Sequence, residues 1–105
     1  VKNLAKNAKN MGIIESVYLF GGSIPDDALS FTNGSAMQKI VAKKIKNYFS
    51  PYDDVLREAD ESNWVPTPIG YRGANGKTIS KYTQIMVKPK NHRFASYALV
   101  LKSFP

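Results

Sequence analysis

The run IIESVYLFGG, residues 13–22, decides the fold class of this chain. Its first eight residues are mostly apolar and rich in β-branched and aromatic side chains, which is typical of a strand buried on both faces. The two glycines that follow end the strand. Because strands of this kind occur mainly in parallel sheets covered by helices, the run predicts an α/β protein.

The rest of the sequence alternates helical patterns with two more strand candidates. Strands are predicted at residues 45–49 and 83–87. Helices are predicted at residues 1–11, 35–43, 53–61 and 94–104, and irregular segments at residues 23–34 and 63–77. Strands separated by helices pair in parallel through crossover connections, so we predict a mostly parallel sheet with flanking helices.

Length and composition restrict the protein class. The 105 residues make a single domain, and none of the apolar runs approaches the roughly 18 residues needed to span a bilayer. The absence of cysteine excludes disulfides and thiolate metal sites, and without a secretory signal we expect a cytoplasmic protein. The chain starts at Val1, and three strands alone would leave both sheet edges open, so we expect the C-terminal portion of a larger domain.

An acid follows one predicted strand and the only histidine follows the next. Asp53 comes just after residues 45–49, and His92 comes just after residues 83–87. Catalytic groups of α/β sheets gather at the carboxyl ends of the strands, so we expect these two side chains to meet there. An aspartate bonded to one imidazole nitrogen fixes the tautomer that lets the other nitrogen accept a proton. Each residue also has a structural explanation, Asp53 as a helix start and His92 as a loop-packing residue.

Three short motifs resemble the C-terminal half of an α/β-hydrolase. They are VYLFGGSIP at residues 17–25, NYFSPYDDVL at residues 47–56, and His92 before Ser96-Tyr97. The resemblance is closest to a poorly characterised branch of that superfamily with a Tyr-Ser-x-x-Asp-x-Val-Leu motif and a late histidine. It implies that Asp53 is the orienting acid and His92 the base of a catalytic triad, with Asp54 as the alternative acid. The implied activity is that of an esterase, lipase or thioesterase on a lipid-like ester.

The nucleophile motif of that superfamily, Gly-x-Ser-x-Gly, does not occur in this chain. We therefore expect the nucleophile to come from a missing N-terminal half of the domain or from a complementing chain. The nearest imitation within the sequence is Ser23 after Gly21-Gly22, but Pro25 stands where the tight turn needs a small residue.

The net charge of +7 favours a second class of function, a basic nucleic-acid-binding or non-catalytic interaction domain. Two basic groups could contact phosphates, and Phe94 and Tyr97 beside the second could stack on bases. The first group is Lys39, Lys43, Lys44 and Lys46, and the second is Lys88, Lys90 and Arg93. The sequence predicts no cofactor and no metal. Five residues lie between Gly70 and Gly76, whereas a phosphate loop has four between its glycines, and the acidic cluster at residues 53–61 lacks calcium-loop spacing.

Overall fold

A computed structural model of the protein describes residues 5–62, 67–76 and 78–101. Strands β1 (Ile14–Phe20), β2 (Val41–Phe49) and β3 (Tyr82–Met86) form one sheet in the order β1-β2-β3. Both pairs are parallel, with Val17 opposite Ile45 and Ile45 opposite Tyr82. The predicted α/β fold with a parallel sheet and flanking helices is confirmed.

In the ranges that the structure describes, four helices and one 3-10 turn with defined bounds surround the sheet. The helices are α1 (Phe31–Ile40), α2 (Asp54–Glu61), α3 (Ile69–Arg72) and α4 (Phe94–Leu99), and the 3-10 turn is Ala8–Asn10. Helix α2 and strands β1 and β3 lie within one residue of their predicted bounds. Strand β2 begins four residues before its predicted start, so residues 41–43, predicted to be helical, belong to the strand. Short α3 interrupts the segment predicted to be irregular, and the predicted terminal helix ends earlier than expected within the described residues. The predicted helical residues 1–4 and 102–105 lie outside the described residues.

Helix α1 begins earlier than its predicted start at Ser35. Ser30 occupies the N-cap position, and Gly34, predicted to be in a loop, lies inside the helix. A side chain at Gly34 would place its Cβ 2.2 Å from the backbone oxygen of Leu29, so glycine is there for close packing and not for a turn. The sequence pattern does not distinguish these two roles.

Strand β2 starts directly after α1, without a connecting loop. Lys81, next to β3, donates hydrogen bonds from Nζ to the backbone oxygens of Gln38 (2.7 Å) and Val41 (2.5 Å). These bonds satisfy carbonyl groups at the end of the helix and the start of the strand. A residue far along the chain therefore stabilises the junction, which explains why the local pattern misplaced it.

The two faces of the sheet have separate apolar clusters. One cluster contains Leu29, Val41, Ile45 and Ile69, with side chains of β1 and α1 packed around it. The other contains Tyr48, Val87 and Tyr97, so α4 covers the second face near the carboxyl ends of the strands. Phe20 joins this second cluster, stacked on Tyr48 at a centroid distance of 4.9 Å and edge-on to Tyr97 at 6.2 Å.

The loops that follow the three strands converge on one edge of the sheet. Helix α3 holds the first of these loops through the bonds from Ile69 N to Ile24 O and from Gly70 N to Gly22 O, both 2.8 Å. Gly70 O in turn accepts a bond from Ser50 N (2.8 Å), which ties the loop after β2 to the same helix. The segments containing Gly21 and Asp53 are thereby brought together.

Within the described ranges, every helix is too short or too polar to cross a membrane.

Candidate active site

Asp53 is held at the start of helix α2, just beyond the carboxyl end of β2. Its backbone is extended, as an N-cap requires, and its Oδ1 accepts a hydrogen bond from the backbone N–H of Leu56 at 3.1 Å. Only 1% of the residue is exposed to solvent. A buried carboxylate in this position needs hydrogen-bond donors, and the amino end of α2 supplies one of them.

His92 contacts this carboxylate from the loop after β3. Its Nδ1 lies 2.6 Å from Oδ2 of Asp53, and the predicted meeting of the two residues at the sheet edge is confirmed. Because an ionised carboxylate only accepts hydrogen bonds, the proton of this bond belongs to Nδ1 of the imidazole. With a proton on Nδ1, Nε2 is the ring nitrogen that can accept one. The His92 side chain is 33% exposed, so the ring borders solvent while its partner is buried.

Tyr97, on helix α4, donates a second hydrogen bond to the same oxygen of Asp53. The distance from its hydroxyl to Oδ2 is 2.6 Å, and Tyr97 is only 1% exposed. Burial first, and then the hydrogen bond and negative charge of Asp53, raise the pKa of Tyr97 well above its ordinary range, so the hydroxyl keeps its proton. The Asp53 carboxylate therefore accepts three hydrogen bonds, one on Oδ1 and two on Oδ2.

Sequence reasoning missed this role of Tyr97. The sequence analysis places Tyr97 in the predicted terminal helix and in the Ser96-Tyr97 motif, but no sequence pattern indicates which group a buried hydroxyl will meet. The prediction that Tyr97 stacks on nucleic-acid bases is wrong, because its ring is enclosed in the apolar cluster with Tyr48 and Val87. Phe94 does remain exposed.

Gly21, at the end of β1, leaves the space that the imidazole occupies. A Cβ at this position would lie 2.7 Å from Cε1 and 2.9 Å from Nδ1 of His92, and 3.1 Å from the Tyr97 hydroxyl. The backbone of Gly21 also has a φ of +60°, which favours glycine. Each strand thus leads into one residue of the site: Gly21 follows β1, Asp53 follows β2 and His92 follows β3.

A cavity of about 400 Å³ lies beside the imidazole. Helix α2 forms an apolar wall, and the cavity is lined by Ser23, Val55, Leu56, Glu58, Ala59, Ser62 and His92. Ser23 shares this cavity with His92, but in the described part of the chain the two side chains form no hydrogen bond. The apolar lining can accommodate the hydrocarbon part of a small ligand next to a group that can accept a proton.

Asp54, the alternative acid, has a different environment. Its carboxylate is 79% exposed and pairs with Arg57 at 3.0 Å, on the outer surface of α2. The structure therefore brings Asp53 and not Asp54 to His92. Across the residues that the structure describes, no group of three potential metal ligands occurs.

The predicted basic groups are spread over several contacts. Lys43 forms an exposed ion pair with Glu15 at 2.6 Å. The ammonium groups of Lys44, Lys46 and Lys88 lie 5.2–5.6 Å from the ring centres of Tyr18, Tyr48 and Tyr52, respectively. These distances are within the usual range of cation–π pairs. Nucleic-acid binding stays a prediction.

Comparison of this chain with protein-family models, with curated proteins and with solved structures gave no match.

Proposed function

We propose that this chain supplies the acid and the base of a serine hydrolase that cleaves carboxylic esters or thioesters. One observation carries the proposal. The buried carboxylate of Asp53 forms a 2.6 Å hydrogen bond with Nδ1 of His92, the only histidine of the chain, beside a cavity. In a surface histidine with a structural role, the partner carboxylate would normally be solvated. Here the carboxylate is enclosed and the imidazole is the exposed member, which is the arrangement a general base needs.

The proposed chemistry transfers one proton at Nε2 of His92. A serine hydroxyl loses its proton to Nε2 as its oxygen attacks the carbonyl carbon, and Nδ1–H continues to donate to Asp53. The imidazolium then returns the proton to the leaving alkoxide or thiolate as the ester bond breaks. Water repeats the cycle, giving its proton to Nε2 and releasing the carboxylic acid. Asp53 stays ionised throughout and stabilises the positive ring.

The attacking serine is proposed to lie on polypeptide outside these 105 residues, in an N-terminal half of the same domain or a complementing chain. The sequence has no Gly-x-Ser-x-Gly segment, and Ser23, although it lines the cavity, makes no hydrogen bond with His92 among the described residues. The resemblance to α/β-hydrolases supports the same division of the triad. The cytoplasmic location expected from the sequence also stays a prediction.

The proposed substrate is a small or lipid-like ester with an apolar group. Val55, Leu56 and Ala59 form the apolar wall that would bind this group next to His92. The cavity of about 400 Å³ is at the small end of the range for ligand sites, which favours a small acyl or alkyl group.

The test is labelling with a fluorophosphonate, which reacts with activated serines. The chain is produced together with the polypeptide encoded directly upstream, and the rate of labelling is measured for the unchanged protein and for Asp53→Asn and His92→Gln. Each change should slow labelling by about 10⁴-fold. Asp54→Asn is the matched control, because it removes a neighbouring carboxylate that is exposed and does not contact His92. Unchanged labelling of Asp53→Asn would overturn the proposal.

Ser23 is tested separately with the 105-residue chain alone. We expect no labelling of this chain. Labelling that disappears in Ser23→Ala would identify Ser23 as the nucleophile and refute the assignment of the serine to another segment.

The alternative function is tested with the same protein. Binding to DNA or RNA that weakens steeply as salt rises, with no labelling in any combination, would favour the nucleic-acid-binding hypothesis over the hydrolase.

A further inference from the structure

We propose that Tyr97 is a positioning residue that controls how strongly Asp53 binds the imidazole of His92. The proposal rests on the function proposed above, because it assigns a role to the acid–base pair. It comes from a geometric fact, that two donors share one oxygen of a buried carboxylate.

The first effect of Tyr97 is on the orientation of the carboxylate. Leu56 N–H donates to Oδ1, while the Tyr97 hydroxyl and His92 Nδ1–H both donate to Oδ2. The first two donors belong to α2 and α4, so they fix the plane of the carboxylate without the help of the histidine. His92 therefore finds Oδ2 already placed, although its own loop is partly exposed.

The second effect is electronic. A hydroxyl at 2.6 Å from Oδ2 draws negative charge from that oxygen, since both hydrogen bonds there depend on the same charge. The bond to His92 is consequently weaker than it would be with Oδ2 bound to the imidazole alone. The negative charge of Asp53 attracts the Nδ1–H of His92 and stabilises its imidazolium form. Tyr97 weakens this attraction.

Burial makes Tyr97 a permanent donor. The raised pKa of its hydroxyl keeps the proton in place across the range in which histidine titrates, so its hydrogen bond does not switch off there. The ring is fixed in the same cluster as Tyr48 and Val87 and lies edge-on to Phe20. Its hydroxyl therefore has little freedom to leave Oδ2.

The test uses the Nδ1 proton of His92, which NMR assigns without ambiguity because the chain has one histidine. The signal of a proton in a short N–H···O⁻ bond moves downfield as the bond strengthens. Tyr97→Phe keeps the ring and removes the donor, so we expect the signal to move downfield. Tyr48→Phe, in the same apolar cluster, is the control, because it leaves both donors on Oδ2; it should not move the signal.

A second measurement changes the hydroxyl in the opposite sense and keeps every tyrosine ring and hydroxyl in place. Replacing all six tyrosines by 3-fluorotyrosine makes each hydroxyl more acidic and a better donor. A stronger bond from residue 97 should then move the His92 signal upfield. Opposite shifts in the two experiments support the proposal, and an unmoved signal in both, or shifts of the same sign, would overturn it.

These readouts need no catalysis, so they separate this proposal from the proposed function. Opposite NMR shifts without any labelling by fluorophosphonate would leave Tyr97 in control of the Asp53–His92 bond and refute the hydrolase. Labelling that depends on Asp53 and His92, together with an unmoved NMR signal, would support the hydrolase and overturn the proposed role of Tyr97.

Discussion

The replacement Gly21→Ala should disturb the proposed active site far more than the fold. The added methyl would lie 2.7 Å from Cε1 of His92, whereas ordinary van der Waals contact begins at 3.4 Å. The imidazole therefore has to move by about 0.7 Å. Because the methyl also crowds Nδ1, we expect the 2.6 Å bond to Asp53 to lengthen to about 3.3 Å, beyond the usual limit for N–H···O.

Two measurements detect this displacement of the imidazole, and a third measures the effect on stability. The NMR signal of the Nδ1 proton should move upfield or disappear by exchange with water, because the short bond is lost. Labelling by fluorophosphonate should slow by about 100-fold, the usual consequence of misplacing a catalytic group by roughly an ångström. Urea unfolding should show a smaller effect, about 1 kcal/mol, from placing alanine at positive φ.

Gly76→Ala is the matched control. Gly76 has a φ of +78°, close to the +60° of Gly21, but a Cβ there meets nothing within 4 Å. The backbone cost should be similar in both variants, and only Gly21→Ala should affect His92. An unshifted Nδ1 proton in a folded Gly21→Ala protein would refute the argument that Gly21 provides the space for the imidazole.

Three further predictions concern stability. Gly70→Ala should lower the free energy of unfolding by about 3 kcal/mol in urea titrations, because its Cβ would lie 2.3 Å from the backbone nitrogen of Gly22 and backbone cannot move aside cheaply. Gly22→Ala should cost less than half as much, because its Cβ would lie 3.3 Å from a methyl group of Ile69. Stability should fall as pH rises above about 10, by up to about 1.4 kcal/mol per pH unit from Tyr97, because the unfolded chain releases the hydroxyl proton there and the folded chain keeps it. Between about pH 9 and pH 11 the urea midpoint should fall less in Tyr97→Phe than in the unchanged protein, and an equal fall would contradict the raised pKa of Tyr97. Lys81→Met should lower the free energy of unfolding by about 1–2 kcal/mol and speed amide hydrogen exchange near residue 41, because two carbonyl groups lose their donor. Unchanged exchange would show that these two hydrogen bonds are not stabilising.

The fold was predictable where the pattern of residues is local and strong. The apolar run of β1, the acidic start of α2 and the order of the elements all follow from composition and spacing, and they are sufficient for the parallel α/β sheet. The start of α1 and its direct connection to β2 were not predictable, because glycine at position 34 is required by its close approach to Leu29 and the junction is stabilised by hydrogen bonds from Lys81. Both are tertiary contacts that no local pattern contains.

The candidate site was predictable to the level of its two main residues. The position of Asp53 and His92 after consecutive strands is enough to bring them to one edge, given parallel pairing. The resemblance implied Asp53 as the acid with Asp54 as the alternative, and the structure separates the two, because the cap position turns the first carboxylate inward and leaves the second on the surface. The contributions of Tyr97 and Gly21 depend on distances below 3 Å between segments far apart in the chain, which sequence spacing does not provide.

The in-order arrangement of the strands has a consequence for synthesis. As the chain leaves the ribosome, β1 and β2 can pair before β3 exists, and Asp53 can already cap its helix. Both donors to Oδ2, however, lie in the loop and helix that follow β3. Until that segment docks, water must solvate this oxygen. Asp53 and His92 therefore meet only after β3 and α4 have been synthesised.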